Sequence, residues 1–347
     1  MINKQTLNKI RMNVDKYLSE IVGNERFSGA VLISMGDDKI INKGLGMANY
    51  ELDVPNTPKT IFRIGSVTKQ FTAVAIMQLF EKRLINLDDT LDKYITDYPK
   101  GDKITIHHLL THTSGIFNHA RIEGFHKRIM KTNHRVEDLI GEFRNLPYNF
   151  EPGTKYSYSN SGFMLLGYII EKVYGLSYEQ YLKDNIFKVL SMNNTGVDNH
   201  IQLIKNRASG YSLDVERKTF SNCDFIDMSV CYAAGNLYST SEDLFAWNKA
   251  LFEGKLISKE SLRQMINKHA NAGQDGFYGY GTLINDEKIG GKIRKKVYHS
   301  GGIPGFFSAN NVFPDEDIQI IAISNIRNEY FYNEVTKIES IVFENLD

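Results

Sequence analysis

The chain has 347 residues, with 41 basic and 41 acidic side chains and 42% hydrophobic content. That length exceeds what one compact domain usually needs, so two domains, or one with a large insertion, are expected. A net charge of 0 argues against nucleic-acid and anionic-membrane partners, and two cysteines, Cys223 and Cys231, make no disulfide framework.

Leu7, Ile10, Val14, Leu18 and Ile21 recur at helical spacing, which predicts an amphipathic first helix ended near Gly23-Asn24. Ser28 to Ser34 predicts a strand, turned at Gly36-Asp37-Asp38, with Lys39 to Ala48 as its hairpin partner. The opening Met1 to Ile10 has no apolar core of signal-peptide length. No apolar run reaches the roughly 18 residues that would span a bilayer. The expectation is a soluble, cytoplasmic protein; a chain trimmed of its leader would read the same.

After a loop marked by Pro55 and Pro58 comes the stretch around which the chain is organised, Phe62 to Ala73, containing Ser66 and Lys69. The residues beyond Lys69 are apolar on nearly every side, which predicts a buried helix. On a helix, positions i and i+3 are neighbours, so Ser66 Oγ and Lys69 Nζ can meet. Burial lowers a lysine pKa, and a lysine so tuned can take the proton of a nearby hydroxyl, making Ser66 a nucleophile. The plainer alternative is a serine cap and a lysine snorkelling to water.

Asn86 to Leu91 turns the chain away. From about 103 to 214 the signals are mostly helical, which predicts an inserted helical domain. Thr105 is a cap for Ile106 to Leu110; Val136 to Leu146 is amphipathic; Ser161 to Tyr174 is apolar and ended by Gly175; Ser177 to Gln180 is a capping box. From about 232 an α/β signal returns. Ser239 to Glu242 opens a helix through Trp247 to Phe252, and Ser258 opens another. Phe277 to Ile284, Lys296 to Ser300, Phe306 to Phe313 and Ile318 to Ser324 read as strands, the last two joined by a turn at Pro314 to Asp317, before a helix from Tyr332 to Leu346. The expected fold class is α+β: one antiparallel sheet flanked by helices and built from both ends of the chain, with domains 1–102 and 215–347 around the helical part 103–214.

Two further stretches carry chemistry. In Glu151 to Gly162, Tyr158 and Asn160 stand two apart before a buried helix, and extended backbone points both the same way. A phenol beside a lysine cation has its pKa lowered, so Tyr158 is a second proton-transfer candidate; the alternative is a polar turn capping a helix. In His299 to Phe306, Gly301-Gly302 permits close approach of backbone or ligand, and the N–H groups of Gly302 and Ser66 can face one carbonyl oxygen. His299 can hydrogen-bond a substrate carboxylate or, if charged, attract it. His108 and His112 have metal-ligand spacing, but no glutamate follows His108 as a zinc peptidase would need. Gly44-Leu45-Gly46 lacks the rest of a dinucleotide fingerprint.

Ser66-Val-Thr-Lys69, Tyr158-Ser-Asn160 and His299-Ser-Gly301, in that order, resemble the motifs of the serine β-lactamase and penicillin-binding-protein family, in particular its class C β-lactamase and D-alanyl-D-alanine carboxypeptidase branch. Leu109 to Gly115, Glu151 to Thr154 and Ala234 to Thr240 are further family-like phrases, and the resemblance runs from about 27 to 325. It implies an acyl-enzyme hydrolase of an amide, ester or β-lactam, with no cofactor and a small-molecule or short-peptide substrate in a cleft between the domains. Ser66 would attack, Lys69 and Tyr158 would move protons, and Gly302 and Ser66 would hold the oxyanion. Asn160, His299, Ser300 and Gly301 would line the substrate site. A penicillin-recognising sensor that acylates without turnover is the alternative. Two positions depart from the pattern. His299 replaces the lysine of class C enzymes, which implies a weak carboxylate anchor that strengthens as pH falls toward about 6. Asn236 replaces a glycine, and asparagine tolerates a positive φ.

Overall fold

The computed structural model describes residues 4–214, 217 and 219–346. An eight-stranded antiparallel sheet forms its centre, in the order Ala270–Asn271, Phe277–Tyr278, Leu283–Ile289, Lys292–Ile303, Phe306–Phe313, Ile318–Ser324, Gly29–Met35 and Asp38–Leu45. Gly29–Met35 pairs with Ile318–Ser324 in register from Gly29↔Ser324 to Met35↔Ile318, so the two ends of the chain close one sheet, as the strand pattern predicts. Both of these strands are almost wholly buried, because helices cover both faces. Helices Lys4–Gly23 and Phe331–Leu346 pack together on one face through Ile10, Val14, Leu18, Val335, Ile338 and Val342.

Helix Thr68–Glu81 lies on the other face. Every residue from Thr68 to Leu79 is buried, which explains the absence of a polar stripe in its sequence. Phe71 stacks on Trp247 of helix Ser241–Phe252 with ring centroids 3.8 Å apart; each such burial contributes roughly 1.5–3 kcal/mol or more. Its polar side chains are paired inward: Asn310 Nδ2 donates to Gln70 Oε1 at 2.9 Å, Gln78 Nε2 to Leu256 O at 3.1 Å, and Thr72 Oγ1 to Ala233 O at 2.7 Å. Behind it packs helix Asn160–Tyr174, whose terminator Gly175 has φ +80°. Thr105 caps Ile106–Leu110 as expected, with His108 completing the capping box.

Several expected elements change. Phe277 to Ile284 is not one strand: it breaks after Tyr278 and resumes at Leu283. Gly281 in the break has φ +66°, and a Cβ there would lie 2.5 Å from Lys69 O, so the chain must bend to admit helix Thr68–Glu81. Lys296 to Ser300 extends to Lys292–Ile303, paired with Leu283–Ile289, a strand not foreseen beyond Ile284 because its Asp286 and Lys288 face solvent and mask its period. Helix Val136–Phe143 stops short of Leu146, and Thr240 rather than Ser239 caps the helix at Ser241. The hairpin Tyr211–Asp214 with Thr219–Asn222 was not expected. The expected domain boundary at 215 lies outside the described residues.

Candidate active site

Ser66 sits in a 3₁₀ turn, Gly65–Val67, just before helix Thr68–Glu81, and Lys69 is fully buried in that helix's first turn. Gly65 has φ +50°, and a Cβ on it would come within 3.0 Å of Gly302 N, so glycine lets strand Lys292–Ile303 reach the serine turn. Gly301 is under the same demand: a Cβ there would stand 2.1 Å from Ile64 O. The N–H of Gly302 is thereby brought beside the Gly65-Ser66 peptide.

Lys69 Nζ lies 3.0 Å from Ser66 Oγ, 2.8 Å from Asn160 Oδ1 and 2.6 Å from Ala234 O. Desolvation lowers its pKa to about 7. A neutral amine has two N–H bonds and one lone pair. Asn160 Oδ1 and Ala234 O both accept, so they take the two N–H bonds and the lone pair is left for the Ser66 hydroxyl. The carbonyl of Ala234 was not foreseen as a partner. It belongs to the turn Tyr232–Gly235, which is anchored on the same helix by the bonds Thr72 Oγ1 to Ala233 O and Leu237 N to Thr68 Oγ1. Asn236, at the position where a positive φ would be tolerated, has φ −95°; the left-handed residue of this turn is Tyr232, at φ +37°.

Tyr158 precedes the helix that Asn160 begins, and Ser66 is among the groups that act on its phenol. Its ring centroid is 4.9 Å from Lys69 Nζ. Its pKa nevertheless moves opposite to expectation: burial pushes the phenol above its ordinary value, and the Ser66 hydroxyl only partly offsets this. The lysine does not lower it because that lysine is itself desolvated, with a pKa near neutrality.

His299 is also corrected. It is 2% exposed, and both ring nitrogens are occupied: Nδ1 lies 2.7 Å from Ser300 O and Nε2 lies 2.9 Å from Tyr278 Oη. A carbonyl only accepts, so Nδ1 carries the proton and Nε2 accepts from the tyrosine. Burial, followed by the Lys69 charge, lowers its pKa to about 3, so it is neutral at physiological pH and offers no charge to a carboxylate. Ser300 is instead half-exposed, and beside it the Tyr332 hydroxyl donates to Gly301 O at 3.0 Å. Tyr332 and Tyr278 carried no motif and were missed. His108 and His112 do not share a helix, which ends at Leu110; His108 serves the capping box.

A cavity of about 270 Å³ opens on Ser66, Asn160 and Gly302, with Phe125, Met130 and Ile226 among its apolar walls. Tyr158, His299 and Ser300 do not line it, so it extends to one side of the serine.

A large antiparallel sheet with flanking helices, carrying Ser66, Lys69 and Tyr158 in mutual contact, defines the class of serine β-lactamases and penicillin-binding proteins. Residues 14–339 match the Beta-lactamase family, and the chain belongs to it. It is 32% identical over 317 residues to a putative penicillin-binding protein, PbpX, of Bacillus subtilis strain 168, covering 91% of this chain and 74% of the relative. Its fold is similar to that of a penicillin-binding protein from Bacillus halodurans, with TM-score 0.80 and 29% identity over 92% of this chain and 97% of the other. A D-stereospecific amidohydrolase from Streptomyces sp. gives TM-score 0.79 and 25% identity over 94% and 97%. Fold, family and site together support a serine hydrolase.

Proposed function

We propose that the chain forms an acyl-enzyme at Ser66 from an ester or amide and then hydrolyses it. The observation that carries this is the environment of Lys69 Nζ, 3.0 Å from Ser66 Oγ with its two other neighbours both acceptors. In this reading neutral Lys69 takes the Ser66 proton as Oγ attacks the carbonyl carbon. The N–H groups of Ser66 and Gly302 receive the oxyanion. Tyr158, kept protonated by burial, donates to the leaving oxygen or nitrogen and is reprotonated through Lys69. Water then repeats the sequence on the ester. The site lies between the sheet part and the helical part 103–214, which supplies Tyr158 and Asn160.

The cavity beside Ser66 combines the apolar walls of Phe125, Met130 and Ile226 with Arg327, which suits an acyl group with an apolar body. A neutral His299 supplies no fixed cation of its own for a substrate carboxylate, which argues for esters and small amides over β-lactams. The likeness to the Streptomyces amidohydrolase supports including D-amino-acid amides among the substrates.

The test is one preparation assayed with p-nitrophenyl butyrate, D-phenylalanine amide and nitrocefin, alongside Ser66→Ala. Turnover of the ester or amide by wild type, with loss of hydrolysis and of fluorophosphonate labelling in Ser66→Ala, is expected. Labelled Ser66→Ala protein in an intact-mass spectrum would overturn the assignment. A burst of one equivalent without turnover would identify an acylating sensor instead.

A further inference from the structure

We propose that His112 is a positioning residue for Tyr158, holding the backbone on both sides of it and bracing its ring. The inference rests on the reading of Tyr158 as a proton-transfer group and adds a residue that touches no substrate atom.

His112 follows helix Ile106–Leu110 and is 1% exposed, with φ +58°. Its carbonyl accepts from Ser157 N at 2.9 Å, and its Nδ1 accepts from Ser159 N at 3.2 Å. Ser157 and Ser159 are the two neighbours of Tyr158, so one residue grips the chain before and after the phenol. The His112 ring centroid lies 4.3 Å from that of Tyr158, 4.5 Å from Tyr278 and 5.1 Å from Phe163. Tyr158 is thus close both to this ring and to Lys69 Nζ, which lies 4.9 Å from the Tyr158 ring centroid.

The arrangement carries two local penalties. A non-glycine residue in left-handed backbone costs about 1–2 kcal/mol. Because Nδ1 accepts, Nε2 bears the hydrogen, and this buried N–H has no partner among the described residues; leaving one unmade costs about 1–3 kcal/mol. Phenylalanine would fill the space without the orphan N–H, and asparagine would tolerate the backbone. Neither provides both a ring against Tyr158 and an acceptor for Ser159. Penalties of this kind persist where surrounding structure over-determines a residue, and they cluster at functional sites.

The test compares His112→Asn, His112→Gln and His112→Leu with wild type and Tyr158→Phe, using p-nitrophenyl butyrate and the rate of fluorophosphonate labelling. Asparagine places an oxygen where Nδ1 stands and tolerates the left-handed backbone; glutamine places its amide one bond further out. Misplacing a reacting group by about 1 Å costs up to roughly 10²-fold. We therefore expect His112→Gln and His112→Leu to lose about 10-fold or more in kcat with KM nearly unchanged, and His112→Asn to recover most of the loss. In a Tyr158→Phe background the same changes should add little. Equal rates for the asparagine and glutamine variants, or full additivity with Tyr158→Phe, would overturn the proposal. If His112→Leu does not fold, the asparagine–glutamine pair alone decides. Wild-type rates in Tyr158→Phe would instead refute the proton-transfer role, a failure separate from that of His112.

Discussion

Tyr278 Oη donates to His299 Nε2 across 2.9 Å, and both side chains are buried. The pair turns a residue that reads as a substrate anchor into an internal, neutral support for its strand. With Nδ1 held at Ser300 O, His299 fixes the backbone at Ser300.

The first prediction follows from the His299 pKa of about 3. Its charge does not change between pH 5.5 and 8.5. The ratio of kcat/KM for nitrocefin to that for p-nitrophenyl butyrate should stay within about 2-fold over this range, since fewer than one in about 100 molecules carry the imidazolium at pH 5.5. A ratio that climbs as pH falls toward 6 would restore histidine as a charged anchor.

Lys69 sets the second. In the proposed mechanism acylation needs its free amine, and desolvation brings its pKa to about 7. The kcat/KM of the uncharged ester should therefore rise with pH through about 7 and level above it. Lys69→Ala and Tyr158→Phe should each slow acylation by roughly 10²-fold or more, and the double variant should be little worse than the poorer single one. Stopped-flow acylation traces on the four proteins check both points.

Gly301 gives a stability prediction. Its added Cβ would meet Ile64 O at 2.1 Å and Ser308 Oγ at 2.4 Å. Gly301→Ala must push the strand away from the serine turn, at about 1–3 kcal/mol or more. A lowered melting temperature and loss of fluorophosphonate labelling are expected. An unchanged melting temperature would show that the strand has room to yield.

Buried histidines predict acid sensitivity. Burial holds His119 at about 4 and His299 at about 3, both below the ordinary value of about 6.5. Between those limits the unfolded chain binds protons that the folded chain does not, so stability falls as pH drops from about 6.5 toward 4. Melting temperature measured from pH 7.5 to 4 should decline over that window. His119→Gln, which retains a donor toward Val230 O, should flatten the decline.

Local spacing was enough to read the Ser66–Lys69 contact, because i and i+3 meet on any helical turn. Alternating and continuous apolar runs were enough to read the sheet built from both chain ends. The break between Tyr278 and Leu283 and the charged run that continues the strand to Ile289 were not legible, because backbone approach and solvent exposure overrode their pattern. The site was legible as residue types and only partly as roles. Which acceptors take the Lys69 hydrogens, which way His299 turns and in which direction the Tyr158 pKa moves all depend on groups far apart in the chain: Ala234 O, Tyr278 Oη and the apolar shell around them. Desolvation and hydrogen-bond partnership are properties of the packed interior, so they exist only once tertiary structure has brought residues 66–69, 112, 158–160, 234, 278 and 299–302 together.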